Sequence, residues 1–381
     1  MVEPFWRYGP ELAGGALAIW IQSRIAAAVR ARRPDFGAAI PLGTVAVSAW
    51  LAFSFLFSIP WFYNRWPING GMAWLKAGGI IWGMVTVGGW VVHRLVAAAV
   101  PDPDPASAVD DAGFDPGRRK MLHLAAAGAP AMMVGYGTFV ERFHFQLKEV
   151  EISIPGLARD LDGLRLVQIT DIHLSPFFSA RDLAYTIGMA NETKADLALM
   201  TGDLITVRGD PLEECIRLLG GVKTGSGMIG CLGNHEISAD CESLAAELAA
   251  RQGIRILRGA REQVRFGNAT VNFAGVDYQR RGDPYLTGAE RLVQPGMLNV
   301  LLSHNPDVFP VAAGMGYDLT IAGHTHGGQV TVEILHQYAN IARFYTPYVY
   351  GHYERNGKSI YVSRVGGLGH PVRVGAPRRS R

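Results

Sequence analysis

The sequence predicts an all-α membrane region of three to four helices followed by an α/β domain. Two observations carry this. Segments apolar and long enough to cross a bilayer crowd the first 147 residues. Beyond them, short apolar runs alternate with helical stretches, and five of these runs stop at an Asp, Asn or His. The composition agrees: a positive mean hydropathy with only 18% charged residues is too apolar for an ordinary soluble chain of 381 residues. Up to Lys148 there are 13 Lys/Arg against 9 Asp/Glu, and from Glu149 onward 23 against 24. The net charge of +3 therefore flanks apolar segments and leaves the larger domain near neutral. A neutral domain lacks the electrostatic footprint of a polyanion binder, so no nucleic-acid partner is expected. Three cysteines, Cys215, Cys231 and Cys241, are too few and too unevenly spaced for a disulfide framework or a thiolate zinc site.

In chain order, Leu12–Val29 is the first apolar segment; with Arg24 inside it, it either spans or lies on the surface as an amphipathic helix. Ile40–Phe62 and Trp74–Val100 exceed the roughly 20 residues that a helix needs to cross. Met121–Phe139 is a shorter, Ala- and Gly-rich span, preceded by a Pro- and Asp-rich loop over Pro101–Gly117. Arg30, Arg32 and Arg33 follow the first segment, and Arg118, Arg119 and Lys120 precede the last. The positive-inside rule puts both clusters in the cytoplasm, so everything after Glu141 is expected on the extracytoplasmic face of the cell membrane. The run Gly117, Arg118, Arg119, Lys120, Met121, Leu122 resembles a twin-arginine export signal placed inside the chain. A positive-inside flank accounts for it equally.

From residue 148 to 381 the expected strands are Val150–Ile154, Leu164–Thr170, Leu197–Thr201, Met228–Leu232, Val271–Gly275, Leu298–Ser303, Leu319–Ala322 and Ile360–Ser363. Arg181–Asn191, Leu212–Gly220 and Cys241–Gln252 read as the helices between them. In layered α/β folds the chemistry gathers at strand ends, and the polar residues fall there. The second expected strand ends in Asp171-Ile-His173, the third in Gly202-Asp203, and the fourth in Gly233-Asn234-His235-Glu236. The sixth ends in His304-Asn305, and the seventh in Gly323-His324-Thr325-His326 followed by Gly327, Gly328 and Gln329. A lone Asp after a strand is usually a turn or a cap, and a lone His is usually structural. The ordered series has no such explanation. Imidazole, carboxylate and amide oxygen together suit Zn, Mn or Fe, and seven ligands suit two ions better than one.

Asp-x-His, Gly-Asp, Gly-Asn-His-Glu, a later His and Gly-His-Thr-His, in that order over Glu149–Gly369, resemble the calcineurin-like metallophosphoesterase superfamily, and most of all its membrane-associated bacterial phosphodiesterase branch. The resemblance implies a two-sheet αββα sandwich holding two divalent ions. It places Asp171, His173 and His326 on one ion, Asn234, His304 and His324 on the other, and Asp203 between them. His235 matches the family histidine that contacts the substrate phosphate, beside Asn234, and protonates the leaving group. One position departs from the phosphoprotein phosphatase pattern: Thr206 stands where a second Asp orients that histidine. Another carboxylate, Glu236 or Asp277, or a different tuning of the imidazole, is then required.

A membrane-anchored phosphoesterase acting on a phosphodiester or phosphomonoester, with the anchor favouring a lipid-linked substrate, is the expected function. The alternatives are a pyrophosphatase of a nucleotide-linked lipid precursor of the UDP-diacylglucosamine type, which needs a cytoplasmic site, and a silent membrane receptor or scaffold, whose expected mark is a broken ligand set. The segment Tyr278–Pro284, with Arg280 and Arg281, reads either as an anion-binding loop or as an exposed polar one, and the basic C-terminus Pro377–Arg381 as a solvated tail.

Overall fold

The computed structural model describes residues 9–66, 68, 70–99, 116–280, 284–328, 331–334, 337–363 and 371–373. The tail Pro377–Arg381, the loop residues Arg281–Asp283, Gln329 and most of the Pro101–Gly117 loop lie outside them. The chain forms two compact units, one ending at Arg142 and one running from Phe143 to Pro371.

The first unit is helical: α1 (Gly9–Arg32), α2 (Ala39–Leu56), α3 (Pro60–Arg65), α4 (Gly70–Ala99) and α5 (Pro116–Phe139). Among the described residues, three helices are long and apolar enough to cross a membrane, at Leu12–Arg32, Ala39–Leu56 and Gly70–Ala99. Helix α5 is outside that set; it starts in the basic cluster and carries His123 and an internal Pro130. The expected Ile40–Phe62 span is broken after Leu56, because Pro60 opens α3 and holds Ile59 in an extended conformation. Within the unit, small residues let helices approach. A Cβ on Gly79 would lie 2.1 Å from Ser54 Oγ, so α4 meets α2 backbone to side chain there. Trp50 Nε1 donates to the Leu75 carbonyl at 2.8 Å across the same pair.

Among the described residues the second unit has two large sheets and a separate two-stranded pair. Strands β1 (Leu166–Ile169), β2 (Leu197–Thr201), β3 (Met228–Cys231) and β4 (Ile254–Ile256) form a wholly parallel sheet in that order. Helices α6 (Ala180–Glu192), α7 (Leu212–Leu219), α8 (Asn234–Ser238) and α9 (Glu242–Arg251) lie between or after these strands in the chain. Strands β5 (Ala260–Phe266), β6 (Ala269–Gly275), β7 (Leu298–Leu302) and β8 (Leu319–Ala322) enter the second sheet. Its order is β11-β12-β8-β7-β6-β5, with β11 (Gly351–Arg355) and β12 (Lys358–Val362) at one side. Helix α10 (Phe309–Met315) connects β7 to β8, and β9 (Thr331–Ile334) with β10 (Gln337–Asn340) makes a separate antiparallel pair.

Alternation along the strands builds the layers. Leu197 and Leu199 of β2 join Phe273, Val300, Leu302 and Ile321 in a core between the two sheets. The intervening Ala198 and Met200 face the other way, against Leu183, Ile187, Cys215, Ile216 and Ala249 of α6, α7 and α9. On the far side, Ala274 and Leu301 pack with Ala312 and Tyr317. The result is the αββα arrangement. Helix α6 starts where it does because Ser179 caps it: Asp182 N–H donates to Ser179 Oγ, and Ser179 N–H donates back to the Asp182 carboxylate.

Two kinds of element depart from the sequence expectation. Val150–Ile154 forms no ladder among the described residues; Ile152 and Ile154 instead lean on the inter-sheet core as an unpaired extended segment. Strands β4, β5, β9, β10 and β11 went unexpected; for β5 and β11 the reason is that their sequences, AREQVRF and GHYER, are largely polar and exposed, as edge strands allow. Phe273, fully buried between the sheets, sets the test of this layering: Phe273→Ala is expected to destabilise the second unit by about 3–5 kcal/mol, read as a lower urea midpoint in pulse proteolysis of the full chain.

Candidate metal centre

Strands β1, β2 and β3 run parallel, as do β7 and β8, so their carboxyl ends bring Asp171, His173, Asp203, Asn234, His304 and His324 to one end of the sandwich. At these ends the chain turns abruptly. Asp171, His173, Asp203, His324 and His326 all have φ between 50° and 76°. That left-handed region costs about 1–3 kcal/mol for most non-glycine residues and is cheapest for Asp, Asn and His. Five of the nine positive-φ non-glycine residues described belong to the seven-residue ligand set, so backbone strain is concentrated here. The glycines allow close approach. A Cβ on Gly233 would sit 2.1 Å from Asp203 Oδ1, so no other residue fits between β3 and the Asp203 loop.

Two groups of side chains present metal-ligand atoms within 4.8 Å of one another: Asp171, His173, Asp203 and His326, and Asp203, His304 and His324. Asp203 belongs to both. Its Oδ2 lies 3.0 Å from His304 Nε2, 3.4 Å from His173 Nε2 and 4.0 Å from His235 Nε2. Its Oδ1 accepts from the His235 main-chain N–H at 3.0 Å, while Asp171 Oδ1 accepts from the His324 N–H at 2.9 Å. The carboxylates thus tie loops from different strands together before any ligand is considered.

Whether ions fit is answered by atoms left without partners. His173 Nε2, His304 Nε2, His326 Nδ1 and Asn234 Oδ1 are buried and make no hydrogen bond. Such orphans are costly, and two of them, His173 Nε2 and His304 Nε2, face the Asp203 carboxylate. The opposite ring nitrogen of His304 is committed: Nδ1 donates to the Thr201 carbonyl at 2.6 Å, which turns Nε2 toward Asp203. His173 Nδ1 lies 3.2 Å from Thr206 Oγ1 in the same manner. The chemistry of the donor set fits divalent ions: Asp171, His173, Asp203 and His326 would hold one, and Asp203, His304 and His324 a second.

The electrostatics lead to the same place. Burial holds the His173 imidazole down at about 4 and that of His324 at about 3, and lowers His326 as well, so these rings are neutral, as ligands must be. Burial also opposes charge on His304, but Asp203 and Asp171 outweigh it and raise that ring to about 10. Burial works against the Asp203 carboxylate too, yet His304, His235 and His173 keep it well below the usual carboxylate range. Burial raises Asp171, and Glu236 is raised by burial and then by Asp203. The two buried carboxylates thus favour positive charge between them. The thiols take no part: burial raises Cys215, Cys231 and Cys241, the last to about 12.

Neither expected carboxylate orients His235. The fully buried Glu236 accepts from the N–H groups of Asp203, Leu204 and Gly233, clamping two ligand loops, and Asp277 forms a bidentate pair with Arg258. His235 Nδ1 instead lies 2.5 Å from the main-chain carbonyl of Thr206. A carbonyl can only accept, so Nδ1 carries a proton and Nε2 is left to face Asp203. The His235 side chain is 19% exposed and that of His326 18%, against 1% or less for His173 and His304, which marks the open side of the centre. Tyr278 also borders it, its ring 5.3 Å from that of His324 and 6.0 Å from that of His304; only its position in a polar loop had pointed to it in the sequence.

Residues 164–328 match the family described as calcineurin-like phosphoesterase. Relatives include the Bacillus subtilis metallophosphoesterase YkuE, 28% identical over 65% of this chain and 88% of that protein. The phosphodiesterase YaeI of Escherichia coli is 26% identical over 57% of this chain and 80% of its own length. A Danio rerio transmembrane protein with a metallophosphoesterase domain is 28% identical over 64% of this chain, an alignment that takes in 58% of that protein.

Metal binding to the folded state alone stabilises it by about 2.7 kcal/mol per site at a hundredfold excess over Kd. Returning Mn or Zn to the chelator-treated full chain is therefore expected to raise the melting temperature of the second unit by about 5–10 °C per site. Asp203→Asn is expected to abolish most of that shift. An unchanged melting temperature in the parent protein contradicts the assignment of these residues as ligands.

Proposed function

Because this chain belongs to the calcineurin-like metallophosphoesterase superfamily and is a metal-dependent phosphoester hydrolase, we propose that it cleaves phosphodiester bonds, and phosphomonoesters less well, in a substrate linked to lipid. The observation that carries the reading is Asp203, whose one carboxylate serves both ligand groups while its other oxygen holds the main chain of His235. Two divalent ions, Mn, Zn or Fe, in these groups would offset the phosphoryl charge and make water a nucleophile at neutral pH.

The chain's own residues supply the rest. His235, on the open side, receives the phosphoryl group with Asn234 beside it in the chain. Water adds to phosphorus, the P–O bond to the leaving group breaks, and the leaving oxygen takes the proton from His235 Nε2 while the proton lost by water passes to solvent. Thr206, through its carbonyl, holds the Nδ1–H, so the imidazolium form of His235 gives up its Nε2 proton and is left as the neutral Nδ1–H tautomer. Glu236 holds the loops of Asp203 and Asn234 in register through three N–H groups.

The preference for a diester rests on similarity to the E. coli phosphodiesterase. The lipid link rests on the apolar helices, which confine the site to a membrane surface at high effective concentration. The basic clusters Arg30, Arg32, Arg33 and Arg118, Arg119, Lys120 favour an extracytoplasmic catalytic unit of an inner or plasma membrane protein, an orientation that requires α5 to cross the membrane as α2 and α4 do.

Purified full-length protein supplied with Mn or Zn is expected to hydrolyse bis(p-nitrophenyl) phosphate faster than the monoester, with about two ions bound per chain. Asp203→Asn should reduce turnover to background. His235→Ala should lose activity at the low end of the about 10²- to 10⁴-fold range of general-acid catalysis, because p-nitrophenolate leaves readily. Metal-replete protein without turnover on either compound contradicts the reading. A reporter active only outside the cytoplasm, fused after Arg381, should be active; a silent reporter in a stable fusion reverses the orientation and favours a nucleotide-linked substrate made on the cytoplasmic face.

A further inference from the structure

We propose that Asp210 is the positioning residue for His235, acting through the main chain of Thr206. This rests on the reading of His235 as the group that protonates the leaving oxygen. The turn after β2 is organised by one carboxylate oxygen: Asp210 Oδ2 accepts from the N–H of Thr206 at 2.9 Å and from the N–H of Val207 at 2.9 Å. The Asp210 N–H returns a bond to the Val207 carbonyl at 3.1 Å, and the Leu212 N–H donates to the Asp210 carbonyl at 2.8 Å, so the turn is tied to the start of α7. Two N–H groups on a single charged oxygen fix the two peptide planes beside Thr206 more firmly than neutral bonds do.

The fixed carbonyl of Thr206 points at His235 Nδ1 at 2.5 Å. In the related pattern an Asp side chain at this position bonds the histidine directly. Here the residue at that position lends its main chain, and the carboxylate stands four residues further on, one hydrogen bond removed. The geometry explains why Thr is acceptable there. Its hydroxyl, 3.2 Å from His173 Nδ1, is occupied with a predicted metal ligand while its carbonyl serves His235. One residue therefore supports both the ligand shell and the proton donor, and Asp210 holds that residue in place.

The test uses metal-loaded, full-length protein and a series of aryl methyl phosphodiesters whose leaving groups run from 4-nitrophenol to phenol. A mispositioned donor matters most for the poorest leaving group. Asp210→Ala is expected to lower kcat about tenfold with 4-nitrophenol and about a hundredfold with phenol, with KM and metal content unchanged. Asp210→Asn, which keeps an acceptor oxygen, should recover most of the loss. Thr206→Val, which keeps the carbonyl and removes only the hydroxyl, should weaken metal retention without steepening the leaving-group dependence. In a His235→Ala background, Asp210→Ala should cost no more than about twofold further, since residues that act as one unit are not additive.

A loss from Asp210→Ala that is equal across the series, or that adds in full to that of His235→Ala, overturns the proposal. If Asp210→Ala does not fold, Asp210→Ser, which lacks the carboxylate, carries the same comparison, and a loss equal across the series or fully additive with His235→Ala in that variant overturns it. If His235→Ala itself shows no dependence on the leaving group, the proton-donor reading fails rather than the role of Asp210.

Discussion

Two carboxylates buried at the carboxyl ends of parallel strands are the constraint on which the rest of this domain depends. Asp171 and Asp203 are removed from water, and an uncompensated buried charge is among the costliest features a fold can carry. The compensation comes from main-chain N–H groups of neighbouring loops and from imidazoles. Asp171 takes the N–H of His324, which belongs to the other sheet, so the bond also pins one sheet end to the other. Asp203 takes the N–H of His235 within its own sheet and turns its second oxygen to three imidazoles. The same atoms that make the pocket electrically unfinished hold its walls in place.

The layers beneath give those loops a rigid base. Alternating side chains on β2 and β7 face opposite layers, and the shared core between the sheets fixes their separation. Polar contacts cross that core near the site: Gln168 of β1 donates to the Ala322 carbonyl at the end of β8, and His304 donates to the Thr201 carbonyl at the end of β2. Backbone strain at five ligand positions is sustainable because both sides of each turn are anchored in this way.

The donor histidine shows how a fold can satisfy one requirement by different means. What His235 needs is an acceptor at Nδ1 that stays put; a charged side chain is one solution, and a main-chain carbonyl held by its surroundings is another. The second leaves Nδ1 of the imidazole on a main-chain carbonyl in place of a carboxylate.

The chemistry of the centre was legible in the sequence because it depends on residue type and order. Apolar runs ending in Asp171, His173, Asp203, Asn234, His304, His324 and His326 announce strand ends and residues of metal-ligand type without any coordinates, and hydrophobic length alone announces the helical unit. Strands on a sheet edge were hidden, since β5 and β11 bury too little to show an apolar period, and Val150–Ile154 showed the period of a strand while pairing with none. What only the tertiary structure decided is which groups serve the ligands. The carbonyl of Thr206 and the N–H groups clamped by Glu236 are main-chain atoms, which every residue possesses and no sequence pattern distinguishes. Their roles arise from where the chain folds back on itself.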